Sequence, residues 1–565
     1  MKRVVRVVAA MAMLTVAVSP VLGTSGAVAG TVTGPVARTV TGTSAGAAGD
    51  GAVAGKGMES RLTWGACPAK AKAAGATTAA GASTGSSAAA AAGVECASLR
   101  VPLDYREPWG QSISLAVNRI KAKVSRDGNY LGALLVNPGG PGASGRALAE
   151  YVSTMLPQKL VEHYDIIGFD PRGVGSSEPS LHCVDVGTYY KAPRPDAVPR
   201  SRADERTLLS RAVDYANSCG DMYAWLLPHM TTANTARDMD SIRAALGERQ
   251  ISFLGYSYGT YIGAVYATLF PGRIKRLVMD STVDPHGVWY KANLAQDAAF
   301  ERRHRDFLAW AAKNNGVYKL GGSGRQTAYA WYAMRARLHD RPAGGVVGPS
   351  ELDDTFTVAG YSDRIWPDLA SAWSRYVRQG DVKGLVDVYN KYGKQDAEDE
   401  NGYAVYLSVQ CTDAHWPRSW ATWRTDMTRM HRRAPFLTWP NAWFNAPCAF
   451  WTVPGGSPVK VHASSHLPPI LMIQSRRDAA TPYPGALNMR NLFPSARMLV
   501  AGGGNHGVSL AGNLCVDRHL VTYLANGTLP KRGATCAGLA TPKATARMAA
   551  GGPQGHERLT ELLAG

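Results

Sequence analysis

The sequence predicts an α/β fold: a sheet whose strands alternate with helices, carrying a large, mostly helical lid inserted before the last two strands. Three observations predict it. Short apolar runs alternate with stretches of helical period from Leu99 to Met279. That alternation stops at about Pro285 and gives way, as far as Ser464, to a stretch rich in Trp, Tyr and Arg with helical period. Strand signals then return at Pro469–Gln474 and Arg497–Val500, and Leu514–Ala525 reads as a closing helix.

In chain order, Leu99–Leu103 and Ile113–Ile120 read as early antiparallel strands. Leu131–Val136 reads as a buried strand ending in a glycine-rich loop, and Tyr164–Phe169 as another ending at Asp170-Pro171-Arg172-Gly173. Thr235–Leu246 has helical period and leads into the strand Ile251–Leu254; Ile274–Met279 is the next strand. The expected divisions are a signal segment over 1–29, a disordered leader over 30–57, the sheet domain over 58–285 and 465–540, the helical insertion over 286–464, and a flexible tail over 541–565.

The first residues carry the marks of an export signal: basic Lys2, Arg3 and Arg6, the apolar run Val7–Val18, and the small-residue site Ala27-Val28-Ala29. No later run approaches the roughly 18 apolar residues a membrane span needs. The chain is therefore expected to be secreted, with no stable membrane association. Eight cysteines, an even number, suit an oxidising compartment. Sequence does not fix their connectivity; pairing neighbours (Cys67/Cys96, Cys183/Cys219, Cys411/Cys448, Cys515/Cys536) closes the shortest loops. No C-x-x-C or His-rich spacing points to a metal. The net charge is +18, but the 61 Lys and Arg residues are scattered, so a diffuse basic surface is expected and no nucleic-acid partner. Thr77–Gly93, rich in Ala, Gly, Ser and Thr, reads as a floppy loop.

The chemistry centres on Gly255-Tyr256-Ser257-Tyr258-Gly259, a G-x-S-x-G between a strand and a helix. That context is a nucleophile elbow: a turn too tight for flanking side chains lifts the serine hydroxyl out of the sheet. A serine hydroxyl needs a histidine to take its proton and a carboxylate to orient that histidine. In α/β-hydrolases the order is Ser, acid, His. Asp478 and His506 follow in that order, each on a loop after a strand. Asp280, one strand earlier, is the rival acid; His519, inside the closing helix, reads as structural. Backbone amides of Tyr258 and Gly140, the latter in Asn137-Pro138-Gly139-Gly140-Pro141-Gly142, are the candidate oxyanion donors.

These motifs, with Asp170–Ser177 (DPRGVGSS), Met279–Pro285 (MDSTVDP), Asp478–Pro482 and Asn505–Gly507, resemble the proline-iminopeptidase-like branch of the α/β-hydrolase serine peptidases. The resemblance is to the secreted tripeptidyl aminopeptidases of actinobacteria. Pro138 stands where proline iminopeptidases carry the histidine of their H-G-G-P-G loop, which fits the tripeptidyl branch better than a single-proline-removing one. The resemblance implies a serine exopeptidase acting on peptides with free N-termini, without a cofactor. Carboxylesterase and prolyl aminopeptidase readings use the same triad, and a catalytically dead binding protein is the non-enzyme rival.

An aminopeptidase must hold an α-ammonium, usually with carboxylates. Asp413, beside Cys411 in the insertion, is the candidate clamp. The acidic run Asp396, Glu398, Asp399 and Glu400 reads as a solvated face.

Overall fold

The computed structural model describes residues 61–68, 93–545 and 555–564. The chain divides into two units at Met58/Glu59, and everything described belongs to the second. The predicted export signal, the leader over 30–57 and nearly all of the tract Thr77–Gly93 lie outside the described residues.

Ten strands form one sheet: β1 (Gly65–Ala66), β2 (Val94–Pro102), β3 (Ser112–Ile120), β4 (Gly132–Asn137), β5 (Tyr164–Phe169), β6 (Ile251–Tyr256), β7 (Ile274–Asp280), β8 (Leu471–Ser475), β9 (Arg497–Ala501) and β10 (Thr535–Cys536). Their spatial order is β1-β2-β3-β5-β4-β6-β7-β8-β9-β10. β2 pairs antiparallel with β3, and β3 with β5; from β5 to β10 the neighbours are parallel. Every residue of β4, β5 and β6 is buried, as expected where helices cover both faces of a parallel sheet. That is why continuous apolar runs, and not alternation, marked these strands in the sequence.

The insertion lies between β7 and β8, so three strands follow it; β10, two residues long, carries no sequence signal of its own. Its helices run from Tyr290–Lys313 to Pro447–Phe450. The earlier ones enclose a core of their own around Phe307, Trp331, Trp366 and Trp373. The later ones, contributing Tyr403, Trp416, Trp423 and Trp439, share one continuous core with the sheet and its helices.

All four neighbouring cysteine couples are joined: Cys67–Cys96, Cys183–Cys219, Cys411–Cys448 and Cys515–Cys536.

Two further expectations change. The tail carries a helix, Gly555–Ala564, with Leu559 and Leu563 buried among Tyr151, Val508 and Leu510, so over that stretch it is docked. The acidic run is not a solvated face throughout. Asp396 and Asp399 close a reciprocal cap on helix Ala397–Asp413, while Glu400 is fully buried and accepts hydrogen bonds from the Cys183 amide and the Tyr215 hydroxyl, both at 2.9 Å.

Candidate active site

Ser257 stands between β6 and helix Tyr258–Leu269 with φ 54° and ψ −126°, a region a serine occupies only under constraint. The turn is tight for a stated reason. A Cβ on Gly255 would lie 2.5 Å from the Gly259 carbonyl oxygen, and one on Gly259 would lie 2.6 Å from that of Asn137. The neighbouring strand fixes the turn further, since the Ser257 amide donates to the Asp280 carbonyl at 3.0 Å.

The structure brings Asp478 and His506 together from the ends of β8 and β9. His506 Nδ1 lies 3.0 Å from each Asp478 carboxylate oxygen, and both side chains are fully buried. Thr481, which drew no role from the sequence although it lies in the Asp478–Pro482 motif, completes the arrangement. Its amide and hydroxyl each donate to Asp478 at 3.0 Å. The carboxylate is thereby satisfied and held in the orientation that fixes the imidazole tautomer. The insertion also grips the histidine. The His506 amide donates to the Tyr361 carbonyl at 2.8 Å, and the Tyr361 ring meets the imidazole edge-on at 5.4 Å. Nε2 is buried and makes no hydrogen bond among the described residues.

Asp280, the rival acid, does other work. It accepts from the Ser509 amide (2.7 Å), the Ser509 hydroxyl (2.6 Å) and the Val508 amide (3.1 Å), so it shapes the loop after His506. Burial pushes its carboxyl up to about 6.

Gly140, Ser257 and Tyr258 line one cavity of about 690 Å³. Gly140 has φ +96°, and the Asn137 side chain turns the loop by accepting the Gly139 amide at 2.9 Å. Trp289, Asn293, Tyr361, Gln410 and Asn441 of the insertion line the same cavity, as do Leu563 and Ala564 of the C-terminal helix.

The expected role of Asp413 as a clamp is corrected, because its carboxylate is already engaged by Thr232. It accepts the Thr232 amide at 2.8 Å and the Thr232 hydroxyl at 2.5 Å; that hydroxyl contacts the Tyr258 hydroxyl at 2.7 Å. Asp413 thus braces the residue after the serine from behind.

Among the described residues, the one cluster with metal-ligand chemistry is Cys515, His519 and Cys536, whose two sulfurs are joined to each other. No helix among them is long and apolar enough to cross a membrane.

Residues 132–378 match the model of the alpha/beta hydrolase fold, and residues 434–536 that of the TAP-like protein family. A tripeptidyl aminopeptidase of Streptomyces lividans is 46% identical over 80% of this chain and 85% of its own length. Serine protease Hip1 of Mycobacterium tuberculosis is 32% identical over 79% of this chain and 87% of its own. Carboxylesterase B of the same organism is 32% identical over 78% and 86%. With the elbow strained as its glycines require and the first of these relatives alike over most of both chains, this protein belongs to the tripeptidyl aminopeptidase family of α/β-hydrolases.

Proposed function

We propose that the protein is a secreted serine exopeptidase that releases tripeptides from free N-termini through an acyl-enzyme. The observation that carries this reading is the cavity. Ser257 lies on its wall beside Gly140 and Tyr258, and helices of the insertion wall it further. Its volume, about 690 Å³, is that of a site for a short ligand. The Streptomyces relative's name gives the peptide length.

In this mechanism the Ser257 hydroxyl attacks the carbonyl of the third residue while His506 Nε2 takes its proton. Asp478, accepting from Nδ1–H, stabilises the imidazolium that forms. The Gly140 and Tyr258 amides receive the oxyanion. The tetrahedral intermediate collapses as His506 returns the proton to the leaving nitrogen, which freees the shortened polypeptide. Water, deprotonated by His506, then attacks the acyl-enzyme; its hydroxyl stays on the tripeptide and the serine recovers its proton. No step requires a cofactor. The export signal and four disulfides support action outside the cell.

The test compares kcat/KM for free-amine tripeptide anilides, N-acetylated tripeptide anilides and simple esters, with product masses read from an unblocked peptide library. Ser257→Ala should cost on the order of 10⁴ to 10⁶ in kcat. Free-amine tripeptide substrates should lead the panel. If esters are turned over far faster than any peptide, the carboxylesterase reading, drawn from the mycobacterial relative of that name, replaces this one.

A further inference from the structure

Helix Tyr290–Lys313 enters the insertion beside the nucleophile. Trp289, at its N-terminus, packs against the Tyr258 ring with centroids 5.7 Å apart, and Tyr258 follows Ser257. Residues four apart on a helix share a face. Trp289, Asn293 and Asp297 therefore form one stripe, and its first two members line the cavity.

The stripe ends in unmet hydrogen-bonding capacity. Asp297 is 1% exposed, and among the described residues it accepts a single hydrogen bond, from Asn441 Nδ2 at 2.8 Å. Asn441 itself lines the cavity. Burial, opposed only by that bond, pushes the Asp297 carboxyl up to about 8: the acid has no counter-charge. On the same cavity wall as Asn293 and Asn441, Gln410 is 4% exposed, and its Oε1 accepts nothing among the described residues. Tyr406 and Asn445 connect the two parts: the Tyr406 hydroxyl donates to Asn445 Oδ1 at 2.9 Å, and Asn445 Nδ2 donates to Asn441 Oδ1 at 3.0 Å. A buried acid with one donor and an orphaned amide oxygen, joined through this chain of side chains, are an excess of acceptors, which an ammonium with three donors would satisfy.

Asp297 stands just behind the wall, bonded to the lining Asn441, whereas the carboxylates on the wall itself are engaged or wet. Asp353 pairs with Arg335 at 2.7 Å and Asp354 with Arg194 at 2.5 Å. Asp284 accepts from Asn488 at 3.1 Å, Asp399 caps its own helix, and Glu561 is exposed.

We infer that Asp297, with Gln410 and the Asn293 and Asn441 amides, anchors the substrate's α-ammonium, and that the stretch from Trp289 to Asp297 measures the released peptide. The inference rests on the exopeptidase reading. Eight residues of helix rise about 12 Å at 1.5 Å each. Three extended residues span about 10 Å at 3.3 Å each, and an ammonium–carboxylate hydrogen bond adds about 2.8 Å. Two residues fall short by about one residue length, and four overshoot by about as much.

The test is Asp297→Asn, which keeps shape and removes charge. Free-amine tripeptide anilides should lose 30-fold or more in kcat/KM, mainly through KM, while acetylated analogues and small activated esters stay within about threefold. Gln410→Met, which leaves Asp297 in place, should weaken the same free-amine substrates about tenfold and spare the esters. Asn293→Asp combined with Asp297→Asn moves the anion four residues, about 6 Å, towards Ser257; the remaining length fits about one extended residue, so product masses should shift from tripeptides towards single amino acids. If the wild type releases tripeptides and Asp297→Asn does so equally well, or loses ester turnover in parallel, the inference falls and the exopeptidase stands. If the wild type releases no tripeptides, both fall.

Discussion

At the scale of single residues, the buried acids of this protein divide by how well they are partnered. Asp478 accepts from Thr481 twice and faces His506; Asp280 takes three hydrogen bonds from the loop after His506; Asp297 takes one. That difference has a thermodynamic sign. The Asp297 carboxyl titrates near 8 in the folded protein and near 4 in the unfolded chain. Between those values the native state holds a proton that the unfolded chain has released. Stability from this group is therefore fully present below about pH 4 and erodes as pH rises towards 8. Asn cannot ionise, so Asp297→Asn escapes the erosion. The melting temperature of the variant relative to wild type should climb steadily from pH 5 to pH 8, and at pH 8.5 the variant should melt no lower than wild type. Melting curves over that range decide the matter; a variant that is less stable throughout would make Asp297 a structural acid. The contrast with Asp413 shows what a sequence conceals at this scale. Its position beside Cys411 was legible, but its direction was not, and direction sent the carboxylate to Thr232 while Gln410, three residues earlier, faced the cavity.

At the scale of elements, the strands that carry Ser257, Asp478 and His506 were legible because they are buried on both faces, so their apolar runs are unbroken. The Ser–acid–His order and the glycines around the serine were legible for chemical reasons. What escaped was short or compositionally disguised. β1 and β10 have two residues each, and the C-terminal helix sits in a stretch dominated by small residues. Its signal was Leu559 and Leu563, four apart on one face. The consequence is functional, because Leu563 packs directly on Gly507, where a Cβ would approach within 2.2 Å of its Cδ1. The helix therefore backs the loop that presents His506. Ending the chain at Thr545 removes two buried leucines, each worth roughly 1.5–3 kcal/mol. Melting temperature should fall by several degrees, and kcat should fall with it at temperatures where the truncated chain remains folded. Unchanged melting and turnover would show the helix to be a passive appendage.

At the scale of the whole molecule, the question is whether the insertion behaves as a lid that opens or as part of the body that holds Ser257, Asp478 and His506. The contacts favour the second. Asn505, next to His506, exchanges hydrogen bonds with Asp363 of the insertion: its Oδ1 accepts the Asp363 amide at 3.0 Å and its Nδ2 donates to the Asp363 carboxylate at 3.1 Å. The later helices of the insertion share the sheet's core, and Cys411–Cys448 fastens two of them together. Large chains commonly unfold in stages, one domain before another. Here the histidine's own backbone is bonded to the insertion, so loosening the insertion must displace His506. Loss of activity and loss of tertiary structure should accordingly coincide. In urea, the midpoints followed by near-ultraviolet circular dichroism, far-ultraviolet circular dichroism and residual turnover should superimpose. An activity midpoint well below the far-ultraviolet one would mean that the insertion comes away first, and the placement of His506 would then depend on a lid in place of a single packed body.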